Sequence, residues 1–236
     1  MSPTRQAANH LLSGLPAEVQ RNLVSRCELV RLSCGATVQK SGGPYHYLYF
    51  PTSCVISLIY TSFEGISVEV GLVGNEGVLG TTSFLGGGDS QHSAVVQVAG
   101  EALRVDARIV LDEFSRGGIL QRVLLLYTHV LMTEISQTAV CNRLHGIEKR
   151  LCRWLLLRQD LVRSDQLIVT HELLSGMLGG RRESVAIAAG RLQKAGLIAY
   201  SRGRVRILDR TGLEHAACEC YAAVKGALAR LPAVAG

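Results

Sequence analysis

Arg181, Arg182, Glu183 and Ser184 are four consecutive side chains able to hydrogen-bond, and they follow a glycine pair, Gly179-Gly180. A guanidinium presents a fixed fork of donors that matches O6 and N7 of guanine, and a carboxylate accepts from the amine of cytosine. On the first turn of a helix such a quartet has the chemistry to read base edges in a major groove. Arg182 is the expected guanine reader and Glu183 the expected cytosine reader, with Arg181 and Ser184 placed for phosphates or bases. Ala186, Ile187 and Arg191 extend the candidate surface along the same helix, and Thr170 and His171 stand at the start of the helix before it. A second group of cations, Arg202, Arg204 and Arg206, surrounds Gly203, where cationic side chains would lie along a phosphate backbone and position rather than specify. The plain alternative is a solvated helix start, but it leaves this second group unexplained.

Holding these side chains in place requires two helices crossing at a steep angle. Leu174, Leu178, Val185 and Ala188 recur where the buried faces would meet, Ser175 is small at the crossing, and Gly179 permits the tight turn. Thr170 is a good N-cap, with Glu172 favourable to the helix dipole. The second helix is expected to run to about residue 195, ended by Gly196. LIAYS, then Arg202-Gly203, then RVRIL, reads as a hairpin. Residues 170–208 are therefore expected to form a winged helix-turn-helix whose partner is duplex DNA.

Charge agrees with that expectation. The chain of 236 residues has a formal net charge of +6, but residues 1–144 carry 10 Lys/Arg against 11 Asp/Glu, whereas residues 145–236 carry 15 against 8. Between 181 and 210 there are eight basic residues and two acidic ones. Cations gathered in one domain mark a polyanionic partner, because each one near a phosphate releases condensed counterions. The alternative is a solvated basic surface. An apolar content of 47% with 19% charged residues excludes a disordered chain. The N-terminal stretch lacks the apolar core of a signal peptide, and the apolar run at 123–132 is short and broken by Tyr127, Thr128 and His129, so a cytoplasmic protein without a membrane partner is expected. Seven scattered cysteines (27, 34, 54, 141, 152, 218 and 220) read as reduced, inert thiols with no metal bound. Cys218 and Cys220 would fall on different faces if both were helical. No catalytic set and no Walker-type phosphate loop is recognisable, so an enzyme is not expected.

The rest of the chain supplies the frame. Residues 15–26 form a short amphipathic pattern, and from 27 to about 110 short β-rich runs alternate with glycine-containing turns, which indicates an antiparallel sandwich or barrel. Residues 107–116 suggest a helix ending at Gly117-Gly118. A long helical pattern follows at 119–143, with Val123, Leu124, Tyr127, Leu131 and Ile135 on an apolar stripe near 3.5-residue spacing. A parallel helix from a second subunit would cover that stripe, and a core helix of one domain is the alternative. A further helix is expected at 147–161. The expected fold class is α+β: an N-terminal antiparallel, jelly-roll-like β-roll at 1–118, a long dimerisation helix at 119–144 and a C-terminal winged helix-turn-helix at 145–236.

With these parts in this order, and above all through VTHELLSGMLGGRRESV and LIAYSRGRVRIL, residues 15–225 resemble the Crp/Fnr family of bacterial transcription regulators. The resemblance implies a homodimer on a palindromic DNA site with half-sites about one helical turn apart, and RNA polymerase as a further partner. Arg182 and Glu183 match two base-reading positions of the catabolite-activator type, while Ile187 stands where a third, usually Arg, is found. The family's cyclic-nucleotide pocket uses a Gly-Glu pair and an Arg-Ser pair. Here Gly80-Thr81 and His92-Ser93 occupy those positions, and Ser136 matches a nucleotide-touching position on the long helix. Without the Arg the cationic fork for a phosphate is lost, and neutral His92 replaces it poorly. Cyclic AMP is therefore disfavoured, and the small-molecule effector is unknown. A signalling module acting through protein contacts and a cupin-like enzyme remain alternatives.

Overall fold

A computed structural model describes residues 9–86 and 88–231 of the chain. The elements run α1 (His10–Ser13), α2 (Ala17–Val24), β1 (Glu28–Leu32), β2 (Thr37–Gln39), β3 (Tyr47–Pro51), β4 (Val55–Thr61), β5 (Ser67–Val73), β6 (Ser93–Val98), β7 (Gly100–Asp106) and α3 (Ala107–Ser115). They continue with α4 (Ile119–Leu144), α5 (Ile147–Val162), β8 (Gln166–Ile168), α6 (His171–Leu178), α7 (Arg182–Lys194), β9 (Ile198–Ser201), β10 (Arg204–Ile207), α8 (Arg210–Ala216) and α9 (Glu219–Leu228). The α+β expectation, with antiparallel sheets, a long helix and a C-terminal helix-turn-helix, is what the structure contains.

Two compact units divide the chain. One comprises Met1–Tyr60, Gly71–Met132 and Ala227–Gly236, the other Thr61–Val70 and Thr133–Gly226. The sequence reading set the long helix apart as its own segment, whereas the units divide within α4. The reason is burial: the first half of α4 is part of a β core.

That core lies in the first unit. β7 is the central strand of a three-stranded antiparallel sheet, β1-β7-β3, and β2-β6-β4-β5 form a second, four-stranded sheet. Leu48, Phe50, Leu103 and Val105 from the first sheet meet Leu120, Val123, Leu124 and Tyr127 of α4 in one buried cluster. A side chain on Gly77 would collide with the Tyr127 ring, so glycine there is what lets α4 approach the chain so closely. At full burial each such side chain stabilises the fold by about 1.5–3 kcal/mol relative to exposure.

This packing corrects the assignment of the α4 stripe. Val123, Leu124, Tyr127 and Leu131 are all buried within the protomer, and Ile135 is half-buried. Val123, Leu124 and Tyr127 face the β core, as the core-helix alternative has it, whereas Ile135 keeps part of its surface exposed. The exposed side of α4 instead carries Leu125, His129, Met132, Ser136, Ala139 and Arg143, at alternating spacings of four and three. α4 is long and apolar enough to cross a bilayer by length and composition, and its Leu120, Val123, Leu124 and Tyr127 are buried in this core.

The second unit was read less completely from sequence. β8 had no counterpart there; it pairs with β10, which also pairs with β9, so the wing is a three-stranded sheet, β8-β10-β9. Cys218 lies just before α9 and Cys220 in its first turn, so the two are not both helical.

Candidate nucleic-acid interface

α6 starts where the sequence indicated. The Thr170 hydroxyl accepts from the Leu173 N–H at 3.1 Å, one of the four donors a helix start leaves unsatisfied. α6 ends at Gly179, whose φ of 57° is left-handed. Leu174, Leu178, Val185 and Ala188 are buried between the two helices, as their spacing requires. α7 then ends at Ala195, followed by Gly196 at φ 74°.

These constraints leave one face of α7 in solvent. Arg181 occupies the N-cap position, just outside the first turn expected for it, and Arg182 opens the helix. Arg181, Arg182, Glu183 and Arg191 are exposed, Ser184 and Ala186 are half-buried, and Ile187 is 58% exposed. Arg191 lies 3.5 Å from Glu148 in an exposed pair. Arg181, Arg182 and Glu183 have no ion-pair or side-chain hydrogen-bond partner among the described residues. An exposed Ile at this position can meet a thymine methyl but not a guanine. Thr170 is exposed beside this surface, and the side chain of His171 lies outside the described residues.

The wing carries the second cationic group. Arg202 and Gly203, at φ 49° and 74°, are both left-handed, the geometry of a type I′ two-residue hairpin. Along β10 the side chains alternate: Val205 and Ile207 are buried, Arg204 and Arg206 are exposed. Arg202, Arg204 and Arg206 likewise lack an ion-pair partner among the described residues. The Gly203 carbonyl accepts from the Val169 N–H at 2.8 Å, which ties the wing tip to the chain entering α6. The wing tip and the start of α6 are therefore tied by a backbone bond.

Behind this surface lies a pair that sequence reasoning missed. Arg158 of α5 donates to both carboxylate oxygens of Glu69, at 3.1 and 2.6 Å, with 4% and 8% of their side chains exposed. Its guanidinium also lies 3.4 Å from the ring centroid of Trp154. Eighty-nine residues separate the two charges, so no local pattern could have paired them.

The expected effector residues fall in different places. Gly80 is left-handed at φ 108°, and a Cβ on it would lie 3.0 Å from Leu48 and 3.4 Å from Tyr45. The Ser90 hydroxyl donates to the His92 carbonyl at 2.6 Å and lies 3.2 Å from the Tyr45 hydroxyl. Gly80 and the loop bearing His92 are thus linked through Tyr45. Thr81 is buried, burial pushes the His92 ring below its usual pKa, and the Ser93 hydroxyl accepts from the Ser41 N–H at 3.2 Å. Ser136 is exposed on the part of α4 that belongs to the second unit.

Comparison with known proteins meets these observations. The model of the Crp-like helix-turn-helix domain matches residues 149–216. No curated protein matches the chain in sequence. Among solved structures, a CRP-family transcriptional regulator from Thermus thermophilus is 20% identical, with a TM-score of 0.68 over 80% of this chain and 96% of that one. FixK2 from Bradyrhizobium japonicum is 13% identical, with a TM-score of 0.70 over 81% and 98%. The c-di-GMP-responsive regulator CLP of Xanthomonas campestris is 17% identical, with a TM-score of 0.67 over 81% and 99%. Residues 149–216 are a Crp-like helix-turn-helix domain, and the chain that carries them has the fold of the Crp/Fnr transcription regulators.

Proposed function

We propose that this protein is a sequence-specific, DNA-binding transcription regulator of the Crp/Fnr type, acting in the cytoplasm as a homodimer on a palindromic site. The observation that carries the reading is the uncommitted set Arg181, Arg182 and Glu183 at the start of α7, flanked by Arg202, Arg204 and Arg206 on the wing. Exposed, unpaired side chains of these types are free to bond bases and phosphates without first breaking an internal pair. Ile187 implies a half-site that differs from the catabolite-activator type at the base it faces.

The dimer would form along the exposed side of α4, where Leu125 and Met132 stand seven residues apart and Val140 follows, each at least 42% exposed. RNA polymerase would be the protein partner at the promoter. Cyclic AMP is not the expected effector, because Thr81 supplies no carboxylate for a ribose and the neutral His92 ring supplies no guanidinium for a phosphate. The effector would act by changing the relative placement of two recognition helices.

A duplex selected from random DNA tests this reading. The selected site should be palindromic and bind on the order of 10³-fold or more tighter than random duplex at physiological salt, with affinity falling steeply as salt rises. Equal binding of all duplexes, or none, would reject it. Titration calorimetry with cyclic AMP and cyclic GMP tests the effector statement, and micromolar binding of either would reject that part alone.

A further inference from the structure

Four potential ligands that the DNA-binding surface does not use converge in the second unit. Cys141 lies in the last turns of α4, and His145 follows one helical turn later, its backbone N–H bonded to the Cys141 carbonyl at 3.1 Å, so both side chains face the same way. Cys218 precedes α9 and Cys220 lies in its first turn. The four ligand atoms all lie within 4.8 Å of one another. Sγ of Cys141 is 3.5 Å from Sγ of Cys218, and Sγ of Cys220 is 3.7 Å from Nδ1 of His145. The three cysteines are buried, at 1%, 4% and 0% exposure.

We propose that Cys141, His145, Cys218 and Cys220 form a single-ion, tetrahedral metal site, matched to zinc, that fastens the end of α4 to the start of α9. Its inner bonds would be three thiolate sulfurs and one imidazole nitrogen, a set that structural zinc sites use. Two of the six separations between these atoms bear on whether one ion or a cluster fits. With Zn–S near 2.3 Å and Zn–N near 2.0–2.1 Å, the edges of a tetrahedron are about 3.5–3.8 Å, the range in which those two contacts fall, at 3.5 and 3.7 Å. An iron–sulfur cluster places several irons and sulfides between its thiolates and needs a wider set.

Two observations independent of the spacing point the same way. The Nε2 atom of His145 lies 3.3 Å from a Glu219 carboxylate oxygen, leaving Nδ1 toward Cys220. Metal-ligating histidines commonly hold their second ring nitrogen against a carboxylate in this way, which fixes the tautomer and the ring orientation. Arg150 and Arg153 act electrostatically on Cys141, and the Nε atom of each is buried without a hydrogen-bond partner among the described residues. Three thiolates around a divalent ion leave one net negative charge, which two nearby guanidinium groups would offset.

The consequence is topological. The ligand pairs 141/145 and 218/220 bracket α5, the helix-turn-helix and the wing, so one ion would close the whole DNA-binding segment into a loop anchored on α4. The site stands on its own residues and does not depend on the DNA-binding reading.

The test uses the full-length, untagged protein purified under reducing conditions. Elemental analysis should find about one zinc per chain. After removal by a chelator, cobalt(II) alone should give tetrahedral thiolate-to-cobalt bands. Cys141→Ser and Cys218→Ser should lose both signals, while Cys34→Ser, at an exposed thiol outside the cluster, should keep both. Glu219→Gln, at a side chain 77% exposed and tolerant of change, should keep the cobalt spectrum but weaken zinc about 10- to 100-fold in chelator competition. Metal-free wild type with no cobalt bands would overturn the proposal. So would a Cys141–Cys218 disulfide in place of metal, a multi-iron cluster, or unchanged metal retention by Cys218→Ser.

Discussion

The second unit holds two kinds of arginine, and the contrast between them explains how its charge is used. Arg158 lies under the surface, bidentate to Glu69 and stacked on Trp154. Arg210 is similarly engaged, donating to Asp160 at 2.7 Å, Gln159 at 2.9 Å, Glu214 at 3.0 Å and the Tyr221 hydroxyl at 2.7 Å, which binds α8 to α5 and α9. Arg181, Arg182, Arg202, Arg204 and Arg206 make no such bonds among the described residues and are exposed. A guanidinium already matched to a carboxylate contributes little field to a distant phosphate, since the pair is close to neutral. The basic excess of the C-terminal region is therefore not one interface. Part of it is scaffold, and the unpaired part is what a polyanion would meet.

The contrast is broken most forcefully at Arg158. Arg158→Ala leaves the Glu69 carboxylate buried without its bidentate partner, a loss of about 3–5 kcal/mol. For a chain of this size that lowers Tm by roughly 6–20 °C. Replacing both partners, Glu69→Leu with Arg158→Met, should recover most of the loss, because removing both charges removes the desolvation cost of each. A single variant as stable as wild type in thermal denaturation would show that the pair is not buried in solution.

Removing an uncommitted arginine should leave Tm unchanged and alter recognition. Arg182→Ala should relax preference at one base pair by about 1–3 kcal/mol, roughly 5- to 150-fold, with little loss on random duplex. Binding to a panel of single-base variants of the selected site reads this directly. A uniform loss across the panel would make Arg182 a phosphate contact. Between these two cases stands Thr170→Ala, which removes the N-cap of α6 and should cost about 1 kcal/mol of stability without changing base preference. A change of preference there would mean that Thr170 itself touches DNA.

What the sequence disclosed follows the same division. The helix-turn-helix was legible because its signals are local: the Thr170 cap, the Gly179 turn, Gly196 and the Arg202-Gly203 tip each act within a few residues. Helix limits at α3, α4 and α5 were legible for the same reason, with Gly117-Gly118 and Gly146 as breaks. Pairings across long separations were not. Glu69 with Arg158, and Cys141 with Cys218, are 89 and 77 residues apart, and a scattered set of thiols looks inert until the fold gathers it. The α4 stripe failed differently. Its apolar spacing places residues on one face but does not say what buries them, and for Val123, Leu124 and Tyr127 the β core does.

The smallest expected effect is on the wing, and it sharpens the distinction between positioning and reading. Arg204 is exposed on β10 and separated by one residue from Arg206, so both project to the same side of the wing sheet. If Arg204 neutralises one phosphate, Arg204→Ala should weaken selected and random duplexes by the same factor. The slope of log affinity against log salt should then fall by about 0.9. Double replacement of Arg204 and Arg206 should roughly double that change if each meets its own phosphate. Base preference should be untouched, because a phosphate is the same at every step of the duplex. An unchanged salt slope with altered preference would move Arg204 into the reading set beside Arg182. The exposed arginines would then divide by their position on the wing rather than by helix against wing.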